Sequence, residues 1–215
     1  MAEARAGAAA RTLRHPWIVA AVAAVALAGS WVVAAQDTLP EWERTLTDSL
    51  NDAPDWVAHS MWPVMQGGTL FAPFVVALAI GLIRRDWFVA GVVVVVGVMT
   101  WFGAQGVKRI VGRERPIAFI ADLHVREGTG SGLGYLSGHS AMAAAVTVVA
   151  LTVVSRRWWP LLFVAVAIVG IARIVHGVHL PADVIGGWAF GTLVGMLGLS
   201  VIDRHRRRGA HAPPP

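Results

Sequence analysis

Six long apolar runs divide the 215-residue chain, and they restrict its fold more than any other feature. They cover residues 17–35, 61–83, 87–107, 137–155, 158–175 and 181–202. A helix needs about 20 apolar residues to cross a bilayer, and a backbone in hydrocarbon must satisfy its own hydrogen bonds. The runs predict an all-α, polytopic membrane protein, a bundle of six transmembrane helices over residues 17–203. A basic cytoplasmic segment, 1–16, would precede it, and a basic, disordered cytoplasmic tail, 204–215, would follow. The composition, 56% hydrophobic and 14% charged, belongs to the same class. The first run has a positive front, as a signal peptide does, but 17–35 is longer than a signal core and reads as an uncleaved helix.

The connecting segments carry the polar residues. Residues 36–60 are acidic, with Glu41, Glu43, Asp48, Asp52 and Asp55 among them. Leu39, Trp42, Leu46 and Leu50 recur there every three or four residues, which predicts a short amphipathic helix lying on the membrane surface between spans 1 and 2. Its expected role is packing and anchoring. Gly187, Gly191 and Gly195 in the last run form a small-residue stripe of the kind that lets membrane helices approach closely.

Basic residues beside short loops orient such a bundle. Arg84-Arg85, Arg156-Arg157 and Arg204 to Arg208 fall on one side, with both termini, and that side is expected to be cytoplasmic. Segments 36–60 and 108–136 and the Arg173–Asp183 junction then share the other face. Segment 108–136 is itself net basic, against the topological preference, and an anionic ligand would account for it. The formal charge of +5 does not indicate nucleic acid, because the basic residues lie beside apolar runs and at the C-terminus. The absence of cysteine removes disulfides and thiolate chemistry.

Ionisable groups are expensive at membrane depth and usually mark a function. Arg173, His176, His179 and Asp183 crowd the junction between the last two runs. Pro181 suits the first turn of a helix, which places Asp183 where the positive end of the helix dipole favours a carboxylate. A carboxylate that holds one imidazole N–H leaves the other ring nitrogen free as base, ligand or nucleophile. Ser137 is a good N-cap for the fourth run, and Gly138 and His139 would present unsatisfied N–H groups in its first turn. With Lys108 and Arg115 on the same face, the inventory is three cations, a helix N-terminus and two histidines. Such a set fits phosphoryl chemistry.

Lys108-x6-Arg115-Pro116, Ser137-Gly138-His139 and Arg173-x5-His179-x3-Asp183 resemble, in order and spacing, the three signature motifs of the type 2 phosphatidic acid phosphatase (PAP2) superfamily. Vanadium haloperoxidases share the pattern. Two positions depart from it: Leu136 stands where proline usually opens the second motif, and Ala172 where serine often precedes the arginine of the third. The resemblance implies an integral membrane lipid phosphatase that needs no metal or other cofactor. His179 would be the nucleophile, Asp183 its orienting partner and His139 the acid for the leaving group. Lys108, Arg115, Ser137, Gly138 and Arg173 would bind the phosphate. The expected partners are the bilayer and a lipid phosphate within it, of polyprenyl diphosphate, phosphatidate or phosphatidylglycerophosphate type. The expected place is a bacterial plasma membrane, with the site on the extracytoplasmic face. A lipid phosphotransferase would use the same residues, and a non-catalytic transporter of anionic lipid the same cations. A zinc hydrolase built on His139, His176, His179 and Asp183 would leave the cations without a role. Around the site, His176 is expected to line its loop, and His124 and Arg126 to lie in a solvated segment.

Overall fold

The computed structural model describes residues 13–210, which are helical apart from their connections. The helices are α1 (Pro16–Ala34), α2 (Glu41–Asn51), α3 (Asp55–Met65), α4 (Ala72–Ala79), α5 (Trp87–Val111), α6 (Gly138–Ala150), α7 (Trp159–Val175) and α8 (Pro181–Ala210). The apolar surface of the bundle is turned outward. Val25, Phe71, Ile83 and Phe102 are each at least 70% exposed, as side chains facing lipid would be. Lipid gives apolar side chains no reason to hide, so the interior is organised by small residues and polar contacts.

Among the described residues, four helices, α1, α5, α7 (with the turn before it) and α8, are long and apolar enough to cross a membrane. The second apolar run is broken. Asp55–Gly68 and Ala72–Arg84 meet at 70°, and counting them as one span brings the total to five. Pro73 sits at the first turn of α4, where its missing N–H costs nothing, and Ile80–Arg84 continue as a π-helical turn. The fourth run departs from its expected extent of 137–155: α6 has 13 residues, ten of them buried. At 1.5 Å per residue that is about 20 Å, short of the hydrocarbon thickness of about 30 Å. It is a core helix enclosed by its neighbours.

The glycine stripe of α8 lies against α6. A Cβ at Gly191 would fall 2.0 Å from the Ala141 carbonyl oxygen, at Gly187 2.5 Å from that of Ser137, and at Gly195 2.8 Å from that of Ala145. The two helices therefore touch backbone to backbone, and this contact holds the start of α6 beside the start of α8. On the far side, Met142, Val149, Val93 and Ile202 form the core shared by α5, α6 and α8.

Two expectations change in detail. The helix in 36–60 forms as α2, but its buried residues are Glu43, Thr47 and Asn51, while Trp42 and Leu46 are exposed. Its inward face is the polar one. The basic tail continues α8 as helix to Ala210, with Arg206 3.6 Å from Asp86 and His205 stacked on Phe88. Residues 1–12 and 211–215, which include most of the N-terminal segment and the end of the tail, lie outside the described residues.

Candidate active site

The C-terminus of α7 is built to deliver His179. Gly177 adopts a left-handed φ of 69°; its N–H donates to the Ile174 carbonyl and that of Val178 to the Arg173 carbonyl. This is a Schellman ending, which glycine enters without a Cβ penalty. The chain then reverses, and the His179 N–H also donates to the Arg173 carbonyl, at 3.2 Å. Pro181 opens α8, and Asp183 reaches back to accept the Leu180 N–H at 2.9 Å, half of a capping box. The same carboxylate oxygen, Oδ2, lies 3.3 Å from His179 Nδ1. Asp183 is fully buried and His179 nearly so. With Nδ1 engaged, Nε2 is the nitrogen left for chemistry. Burial first, then the positive field of Lys108, Arg173, Arg115 and His139, holds the His179 imidazole well below its ordinary pKa. It is therefore neutral at physiological pH.

The cations surround this pair. Lys108 Nζ donates to the Leu133 and Gly134 carbonyls at 3.0 and 2.8 Å. Arg115 is fixed by its backbone N–H on the Gly132 carbonyl, and an isolated bridge pairs Glu114 with Leu133. Arg173 is almost wholly buried; its Nη1 bonds Glu127 and lies 3.3 Å from Met65 Sδ. Among the described residues, Nε of both Arg115 and Arg173 is buried without a hydrogen-bond partner. Such N–H groups are costly to leave unpaired, and an anion would satisfy them.

Ser137 caps α6, accepting from the Ser140 N–H and hydroxyl, while its own N–H donates to the Asp183 carbonyl at 2.9 Å. Its hydroxyl oxygen is thus turned toward Ser140. Gly138 has open space where a Cβ would stand, so the helix terminus is open to a ligand there. His139 follows, partly exposed, with Gly68 pressed so closely on its backbone that a Cβ at 68 would lie 2.6 Å from its carbonyl oxygen. The break in the second run is what brings Gly68 to that place.

Other polar residues prove to be scaffolding. His176 Nδ1 donates to the Ala172 carbonyl at 2.7 Å. Arg126, expected in a solvated loop, instead bonds Asp55 and the carbonyls of Asn51, Ala53 and Val175, tying the α2–α3 turn to the end of α7. His124 is exposed, its backbone held on both sides by Asn51. Among the described residues, no group of three or more His, Asp or Glu side chains is arranged to hold a metal ion.

Three residues without an assigned part in the sequence analysis touch the site. Glu127 meets Arg173, and Glu43 and Arg113 form a buried pair that reaches Asp183. The available signal for Glu43 was the spacing Glu43, Thr47, Asn51, a polar stripe at helical intervals.

An apolar groove of about 590 Å³ runs along α6. It follows the face of α6 that carries Ala143, Val146, Thr147 and Ala150, at helical intervals from His139. Gly67 lies along it, and its lining reaches Arg84 and Arg157.

Residues 86–207, which hold all three motifs, match the family model of the PAP2 superfamily. The chain belongs to that superfamily. It is 30% identical over 95 residues to an undecaprenyl-diphosphatase of Sulfolobus acidocaldarius, covering 44% of this chain and 46% of that protein. The match thus spans about half the length of that relative. It is 35% identical over 134 residues to a decaprenylphosphoryl-5-phosphoribose phosphatase of Mycobacterium tuberculosis, 62% of this chain and 71% of the relative. Among solved structures, the PAP2 fold here superposes with a TM-score of 0.70 on a PAP2-type phosphatidylglycerolphosphate phosphatase from Bacillus subtilis. That match is at 20% identity, over 90% of this chain and 98% of the other. LpxE of Aquifex aeolicus superposes with a TM-score of 0.66 at 19% identity, over 73% and 93%. At such identities the likeness is one of fold.

Proposed function

We propose that this chain is a membrane lipid phosphatase acting on a polyprenyl-linked phosphate monoester or diphosphate through a phosphohistidine on His179. The observation that carries the reading is the buried His179–Asp183 pair set among Lys108, Arg115 and Arg173, with the Nε–H groups of both arginines unpartnered among the described residues. In the first half-reaction His179 Nε2 attacks phosphorus, the P–O bond to the lipid breaks, and His139 gives its proton to the departing oxygen. Asp183 holds Nδ1–H as the ring becomes cationic. In the second half, water attacks the phosphohistidine, His139 takes the water's proton, and phosphate leaves. The three cations and the Gly138 N–H oppose the charge on the phosphoryl oxygens, usually the largest contribution in such sites. The polyprenyl class is favoured because both kinds of curated relative are named for polyprenyl-linked substrates.

The test is phosphate release by purified protein from polyprenyl diphosphates, a polyprenyl-phosphoryl sugar phosphate, phosphatidate and phosphatidylglycerophosphate, with acid-quench labelling of the intact chain. Wild type should carry label on histidine, and His179→Ala should carry none and turn over nothing. Turnover should survive EDTA and be inhibited by vanadate. Undiminished release by His179→Ala would overturn the assignment.

The site is proposed to face the extracytoplasmic side of a bacterial plasma membrane, with both termini inside. The natural chain has no cysteine, so single substitutions report cleanly. Thr129→Cys should react with a membrane-impermeant maleimide on intact spheroplasts, and Arg208→Cys only after lysis. The reverse pattern would invert the topology.

A further inference from the structure

Asp183 is held from both oxygens. Oδ2 receives the Leu180 N–H and faces His179, while Oδ1 lies 3.2 Å from Arg113 Nη1. No other hydrogen bond is made to Oδ1 among the described residues. Arg113 is in turn gripped by Glu43, Nη1 to Oε1 at 3.3 Å and Nη2 to Oε2 more closely. Glu43 Oε1 also accepts the Ala182 N–H at 2.8 Å, an otherwise orphaned donor in the same helical turn that carries Asp183. Glu43 and Asp183 are 0% exposed and Arg113 is 6% exposed. The three side chains come from α2, from the loop after α5 and from α8.

A buried ion pair is not by itself a gain in stability, since desolvation offsets most of the attraction. Two carboxylates in one dry site also repel. An arrangement that spends two carboxylates and a guanidinium behind the nucleophile's partner fits a role in orientation better than one in stability. We propose that Arg113 and Glu43 are positioning residues that fix the Asp183 carboxylate so that it holds His179 by Nδ1 and presents Nε2 to phosphorus. α2 thereby clamps the site from the membrane surface. The inference rests on the His179 phosphohistidine reading above.

Arg113 acts through Asp183, so its loss should appear in turnover rather than in substrate binding. Arg113→Gln should lower kcat at least tenfold with KM within threefold, and slow the appearance of label on His179 to the same degree. Arg113→Lys keeps a cation without the fork and should fall between wild type and Arg113→Gln. Glu43→Gln keeps an acceptor for Ala182 and should cost kcat with KM unchanged. The decisive comparison is made in the Asp183→Asn background, where adding Arg113→Gln should change kcat less than threefold. If Arg113→Gln does not fold, Arg113→Lys and Glu43→Gln carry the same comparison. Full, multiplicative loss in that background, or a loss confined to KM or to the folded fraction, would overturn the proposal. Absence of label on wild-type His179 would instead overturn the reading on which it rests.

Discussion

The His179 imidazole is neutral before any substrate arrives, because its surroundings disfavour the imidazolium. Its pKa in the folded state lies below the unfolded value near 6.5, so the fold prefers the unprotonated ring. The sign follows directly: stability from this group is present above about pH 6.5 and is lost as pH falls below it, because the unfolded chain then binds a proton that the folded chain refuses. His179→Gln should therefore lose less thermal stability than wild type between pH 7.5 and 5.5, as melting in detergent would show; parallel losses would contradict the burial argument. Asp183→Asn should cost roughly 10²–10⁴-fold in kcat, by analogy with orienting carboxylates of other triads, and a cost below threefold would break the pairing. Lys108, Arg115, Ser137, His139, Arg173, His179 and Asp183 were legible as candidates because each stands at a fixed interval inside a local motif. Glu43 and Arg113 were not. They lie 70 residues apart, and only the docking of α2 brings the carboxylate to the guanidinium.

At the scale of elements, the contact between α6 and α8 positions two of the three motifs. Ser137 opens α6, Asp183 lies in the first turn of α8, and the glycine stripe lets the helices meet closely enough for the Ser137 N–H to reach the Asp183 carbonyl. Gly191→Ala forces a Cβ to within 2.0 Å of a carbonyl oxygen that cannot move aside, so the helices must part. The expected cost is about 1–3 kcal/mol of stability, together with lost activity as the site opens. Gly91→Ala is the contrast: it is exposed on α5 with nothing within reach of the new Cβ, and should be neutral or slightly stabilising. Melting temperatures of the two variants test the pair, and equal behaviour would refute the packing argument. The stripe was readable from its period of four. The shortness of α6 was not, since its apolar run continues into 151–155, where turns replace helix. Hydropathy reports a tolerance for hydrocarbon, and a buried core helix shows the same tolerance as a lipid-facing span.

For the molecule as a whole, the groove along α6 begins at Ala143, one helical turn from His139, the residue proposed to protonate the leaving oxygen. A lipid with its phosphate among Lys108, Arg115 and Arg173 would have its first carbons at the head of that groove, and the remaining chain could follow Ala143 and Thr147 toward Arg84 and Arg157. A soluble phosphate ester gains nothing from such a surface, and the acidic α2 region would repel it. The expectation is that kcat/KM for a long-chain substrate exceeds that for p-nitrophenyl phosphate by at least tenfold in matched detergent, about 1.4 kcal/mol of transition-state binding. Because bulk in the groove should act on the chain alone, Ala165→Trp tests where the difference arises. Ala165 lines the groove away from every residue of the phosphate site, and an indole there fills space that the chain would otherwise occupy. The variant should lose most of the long-chain advantage while its rate on p-nitrophenyl phosphate stays within twofold of wild type. Equal losses on both substrates would place the damage in the fold, and no loss on either would mean that the lipid chain runs elsewhere.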